Sequence, residues 1–305
     1  MSITKEDITM ENIIAAAISL PGVKVSRADF LKETFETEQV DLEQILEKGP
    51  IAANCSEELL SRLADAVIRK RVSESAIASF VAGLPGGLLM GIAIPADIVQ
   101  FFAVALAMAQ EISYLYGMED MWRDEKPDME MVNERLALYC GVMFETEGAD
   151  RMLRVSAAPS ELLTSSAQEG FVFKKTLRET LISRVGIEVG SRVAKDFAAH
   201  GVAMIIPVVG GVISGSMTYS SMKPMGTRLA DVFEYARFRY NKIELETDIK
   251  ILNELAQKDP EPLDEKDAFI KGGKDGLQKG MKEVGTAATG LFNKVQKAVD
   301  KVKKG

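Results

Sequence analysis

The chain has 305 residues, 47% of them hydrophobic and 27% charged, the balance of a folded protein with room for a substantial core. Its formal net charge of −8 excludes a general nucleic-acid binder, because phosphate recognition needs a concentrated basic surface. Two cysteines, Cys55 and Cys140, form no CxxC pair, which excludes a disulfide framework and a cysteine zinc site and predicts two reduced, buried thiols.

The N-terminus, MSITKEDITMENIIAAAISLPG, has early acids and no basic segment, so it does not read as a secretory signal and a cytoplasmic location is expected. ENIIAAAISL reads as an apolar helix stopped by Pro21-Gly22. SRADFLKETF opens on Ser26 as N-cap, and DLEQILEK ends at Gly49-Pro50. Ser56 caps SEELLSRLADAVIRK, whose Glu57 and Glu58 at one end and Arg69, Lys70 and Arg71 at the other match the helix dipole.

LPGGLLMGIAIPAD follows, the start of a first apolar region. Gly83, Gly87 and Gly91 stand one turn apart, a spacing for close backbone approach, while Pro85 and Pro95 divide the run into broken helices. Pro95 suits the first turn of the next helix, and Asp97 then sits at its positive end as a local capping acid or, in a sharper reading, a ligand. For a bilayer span, the hydrophobes between Leu88 and Ala109 contribute roughly −3 to −6 kcal/mol. Asp97 costs about +2.5 to +3.5 kcal/mol, and Pro95, Gly91 and Gln100 cost more, which brings the sum near zero. Tyr114, Tyr116 and Trp122 beyond it fit either a membrane-interface belt or the edge of a core.

After the polar turn WRDEKPD, Asp128 begins another helix, and residues 148–170 read as loop with short helical pieces. Residues 171–199 are again helical and charged on one face. The second apolar region, His200 to Met222, contains Pro207, Gly211 and Gly215 and is broken by Lys223-Pro224. A long amphipathic helix then carries Leu229, Val232, Phe233, Ala236, Tyr240 and Ile243 at three- and four-residue spacing. No alternating strand pattern recurs, so the fold class is all-α, a helical bundle with two Gly/Pro-broken apolar hairpin regions and a C-terminal amphipathic helix.

Residues 259–268 form an acidic, proline-containing linker, and residues 269–305 a basic tail. On a helix, Leu277, Met281, Val284, Ala288, Leu291, Val295, Ala298 and Val302 share one face with Phe292 and Val299. Lys279, Lys282, Lys294, Lys297, Lys301 and Lys304 point elsewhere. From Lys271 onward nine lysines oppose three acids, a net of about +6, leaving about −14 on the rest of the chain. Six glycines from Gly272 to Gly290 weaken this helix by roughly 1 kcal/mol each, so it is one that a surface would stabilise, an anionic lipid surface first. Docking on the acidic body or on a partner helix is the alternative, since the steps also satisfy a heptad.

Catalytic chemistry finds little material. His200 is the one histidine, too few for a Ser-His-Asp triad or a multi-histidine metal site. Asp97 and Glu111 share a helix face but stand roughly 21 Å apart at the helical rise, too far for a carboxylate pair. Gly210-Gly211-Val212-Ile213-Ser214-Gly215 misplaces a glycine of the dinucleotide loop and lacks its βαβ setting. No enzymatic reaction and no cofactor are expected; Asp97, Glu111 and His200 are the ligand candidates should a pocket lie between the hairpins.

SFVAGLPGGLLMGIAIPADIVQFFAVALAMAQEISYLYG and IIPVVGGVISGSMTYSSMKPMGTRLADV resemble, in order and separation, the two hallmark segments of the EcsC family of bacterial proteins. The resemblance covers roughly residues 66–236 of a body spanning 1–258, with 1–55 as a helical N-terminal extension. It implies a helical, hydrophobic-hairpin protein associated with membranes, and it carries over no catalytic residue. The expectation is therefore a non-enzymatic protein peripheral to or shallowly inserted in the inner face of a bacterial membrane, its hairpins forming a helical core or dipping partway into lipid and its lysine-rich tail adding reversible attachment. A soluble scaffold with a docked tail and a ligand-binding or enzymatic protein are the alternatives, and membrane disruption would draw on the same apolar hairpins.

Overall fold

Helices in the computed structural model begin where the local chemistry satisfies their free N–H groups. The structure describes residues 10–73, 96–123, 127–163, 179–190 and 213–257. Among these the regular elements are helices, with no strand, so the protein is all-α. In chain order they are α1 (Met10–Ile18), α2 (Arg27–Phe35), α3 (Leu42–Lys48), α4 (Glu57–Ser73), α5 (Ala96–Leu115), α6 (Met129–Met143), α7 (Ala149–Ala157), α8 (179–190), α9 (Ile213–Phe238) and α10 (Lys242–Gln257).

Ser26 accepts from the Asp29 N–H, Asp41 from Gln44, Ser56 from Leu59, and Asp128 from Glu130 and Met131. Each removes an orphan donor from a first turn. Three turns close the other ends or link them in the same way. After α5, Gly117 at φ +81° donates to Tyr114 and Met118 donates to Ser113, a Schellman pair. After α6, Glu145 takes the left-handed position at φ +57°, donating to Val142 while Thr146 donates to Gly141. Asn54, at φ +58°, does so in the turn before α4.

The centre of the bundle is α5. Helices α1, α4, α6 and α9 pack against it, and α9 also meets α4, α6 and α7. α5 is the one described helix long and apolar enough to cross a membrane, yet 94% of its Ile98–Leu115 stretch is buried inside the protein. α1, from the N-terminal segment, lies against both α5 and α6 and contributes Ile13, Ile14 and Ala17 to the core. Two glycines mark close crossings. A Cβ on Gly141 would lie 2.4 Å from a Val185 methyl, and one on Gly226 would lie 3.0 Å from both Ile68 and the Met108 sulfur.

Two expectations change. Pro224 does not end a helix, because α9 runs through it from Ile213 to Phe238. The missing proline N–H is outweighed by packing that buries Met222, Met225, Leu229 and Phe233. The amphipathic stripe also does not continue to Ile243. Arg239 and Tyr240 both donate to the Tyr235 carbonyl, the chain turns, and Ile243 opens α10 at 77% exposure. The short helical pieces expected within 148–170 are the nine-residue α7, its Met152, Leu153 and Val155 buried, and a 3-10 turn at Ser160–Leu162; residues 164–170 lie outside the described residues.

Candidate functional site

The deepest polar groups lie on α5 and α10. Glu111, on α5, is buried and gripped by Arg71 of α4: Nε donates to Oε2 at 2.7 Å and Nη2 to Oε1 at 2.5 Å. One residue earlier, Gln110 uses its whole hydrogen-bonding capacity. Its amide donates to the Val23 and Leu106 carbonyls at 2.8 and 2.9 Å, and its oxygen accepts from Val25 N–H at 3.2 Å and Trp122 Nε1 at 2.7 Å.

The carbonyl end of α5 is held by two arginines. Arg27 donates to the Met118 and Leu46 carbonyls at 3.2 Å, and Arg237 donates to the Tyr116 carbonyl at 2.9 Å. Burial lowers the pKa of both guanidiniums, and their charge lies against the negative end of the helix dipole. Tyr114 and Tyr116 are fully buried here, with Tyr116 stacked on Phe233 at 6.0 Å. Of the two settings weighed for the aromatic cluster, the structure has the protein core. Trp122 is half-buried, with Lys24 5.0 Å from its ring centroid.

A second centre joins α7 to α10. Asp248 is 3% exposed and accepts from Arg151 Nη1 at 2.6 Å, Arg154 Nε at 2.9 Å and Tyr240 hydroxyl at 2.9 Å. Burial alone would raise its pKa; the bonds from Arg154, Tyr240 and Arg151 outweigh that and hold it below the usual carboxylate value. Tyr240 is pushed upward by burial and by its bond to Asp248. This centre was missed in the sequence, although a signal existed: Asp248 falls on the apolar stripe Leu245, Leu252, Leu255.

The candidate ligands do not converge among the described residues. Asp97 lies in the first turn of α5 and Glu111 near its other end, already held by Arg71. His200, Gly83, Gly87, Gly91, Pro95, Pro207 and Gly211 lie outside the described residues, and Gly215 falls in the first turn of α9. The tail residues, from Leu277 to Val302 with their lysines, also lie outside them. Cys55 and Cys140 are free and buried, and burial raises both thiol pKa values, the wrong direction for a nucleophile. Among the described residues no group of three or more His, Cys, Asp or Glu is placed to hold a metal ion. The polar centres as built position helices; none presents a nucleophile beside a base.

No family model, curated protein or solved structure matches the chain.

Proposed function

We propose that this chain is a non-enzymatic helical protein of the bacterial cytoplasmic side, similar to EcsC proteins, in which a folded acidic body carries a lysine-rich adhesive tail. The observation that carries this reading is the covering of α5. The described helix long and apolar enough to cross a membrane is 94% buried by its own neighbours, which supports attachment at a membrane surface over a spanning α5. A tail of about +6 on an otherwise acidic chain suits peripheral attachment to anionic headgroups, each lysine near the surface contributing about 1 kcal/mol.

The same burial favours a second reading, a water-soluble scaffold whose tail meets a partner helix or the acidic body. Vesicle flotation separates the two. The full chain should float with anionic vesicles and not with neutral ones, should be released by high salt, and should lose binding on truncation after Pro260. Equal binding by both lengths removes the tail from the mechanism; no binding by either leaves the scaffold.

A further inference from the structure

Among the described residues four buried side-chain polar atoms have no hydrogen-bond partner, and two of them are Nε and Nη2 of Arg184 on α8. That edge of the guanidinium is the one with which Arg71 grips Glu111 and Arg154 grips Asp248. The third nitrogen, Nη1, donates to the Leu255 carbonyl of α10 at 2.6 Å. A donor buried without an acceptor weakens the state that buries it, because the same group is hydrated once it reaches water. For Arg184 that state is α8 seated on the body.

The seat itself is narrow. α8 buries one stripe, Leu181, Val185 and Val189, at four-residue spacing, while Ile187 on another face is 50% exposed. At the middle of the stripe a Val185 methyl lies 2.4 Å from where a Cβ on Gly141 would stand, beside Ala149 and Thr146. Glycine at 141 is what leaves room for the contact. Glu188, one turn on from Arg184, accepts from the Glu147 N–H at a long 3.4 Å.

We propose that α8 is a strap that opens from α6, α7 and α10 as a unit while the bundle around α5 stays folded, with Arg184 setting the balance between closed and open. Closure gains the apolar stripe and the bond to Leu255. Opening hydrates two donors that closure strands. The two effects oppose each other on one short helix, which is the condition for an open state populated as a minority. Opening bares the seat formed by Gly141, Thr146 and Ala149, and with it the stripe that covers them. The strap is independent of whether the tail meets lipid.

Native-state amide hydrogen exchange on the full-length chain tests this. Amides 183–190 should exchange about a hundredfold faster than amides 104–112 of α5, through an opening that leaves α5 protected. Arg184→Met keeps an aliphatic side chain and removes the stranded donors, so it should slow exchange across 183–190 about tenfold, even though it gives up the bond to Leu255. Gly141→Ala, which crowds Val185, should speed the same amides about tenfold and leave α5 unchanged. The proposal is overturned if α8 and α5 exchange at one rate in the unmodified chain, if Arg184→Met leaves α8 exchange unchanged or speeds it, or if Gly141→Ala speeds α5 as much as α8.

Discussion

Helices α5 and α10 meet the same problem, a charged residue among apolar neighbours, and solve it differently. α5 is covered on every side, so Glu111 has to find a partner across the bundle and finds it on α4. α10 is covered on one stripe, and Asp248 sits at its inner edge, where two arginines of α7 and Tyr240 reach it from the rim. The first pair lies within the framework of the fold. The second clips an outer helix to it. Interior charge therefore does not have one meaning in this molecule: its cost on removal depends on how much of the fold stands on the helix that carries it.

The sharpest way to break this comparison is Glu111→Ala. Removing the buried carboxylate that Arg71 grips at both oxygens should cost about 3–5 kcal/mol, read as a lower urea midpoint of the whole protein. Replacing both partners, Arg71→Met with Glu111→Leu, should restore most of that loss, because well-packed apolar pairs substitute for buried ion pairs. Asp248→Asn should cost about 2–3 kcal/mol, and its exchange signature should concentrate in α10. If Asp248→Asn and Glu111→Ala open the same amides, the distinction between framework and clip fails.

The Asp248 clip should also respond to acid. Its pKa is depressed on folding, so its contribution is fully present above the unfolded value near 3.8 and is lost as pH falls through the folded value below it. Circular dichroism through pH 5 to 2 should show unfolding that Asp248→Asn makes less dependent on pH. Gly141→Ala, which drives a Cβ into Val185 where α6 meets α8, should cost about 1–3 kcal/mol by overpacking. The smallest effect should come from Glu145→Gly, which relieves a left-handed non-glycine residue and should stabilise by about 0.5–1 kcal/mol, less what its ion pair with Arg228 contributes.

Much of the fold was legible because its signals are local. Ser26, Asp41, Ser56 and Asp128 stand next to the N–H groups they satisfy, so a short window of sequence contains both partners. Pro224 was misread for the opposite reason. Its local effect is to break a helix, and what overrides it is packing against α4, α6 and α7, far away in the chain. The Ile243 error has the same origin, since the turn at Tyr240 is closed by tertiary burial of that ring rather than by glycine or proline. The polar centres were legible only in part. Glu111 drew attention as an acid in an apolar run, but its partner lies 40 residues away and nothing in the spacing names Arg71. Asp248 carried a periodicity signal, whereas Arg151 and Arg154 read as ordinary surface charges until α7 is placed beside α10.

The Gln110 amide has a consequence for the order of assembly. Its bond to the Val25 N–H spans 85 residues, so the segment leading into α2 has no seat until α5 has been synthesised. At ordinary translation rates that interval is about 4–17 s. During it Ile13, Ile14 and Leu31 of the N-terminal helices wait for the α5 surface that helps bury them in the finished fold.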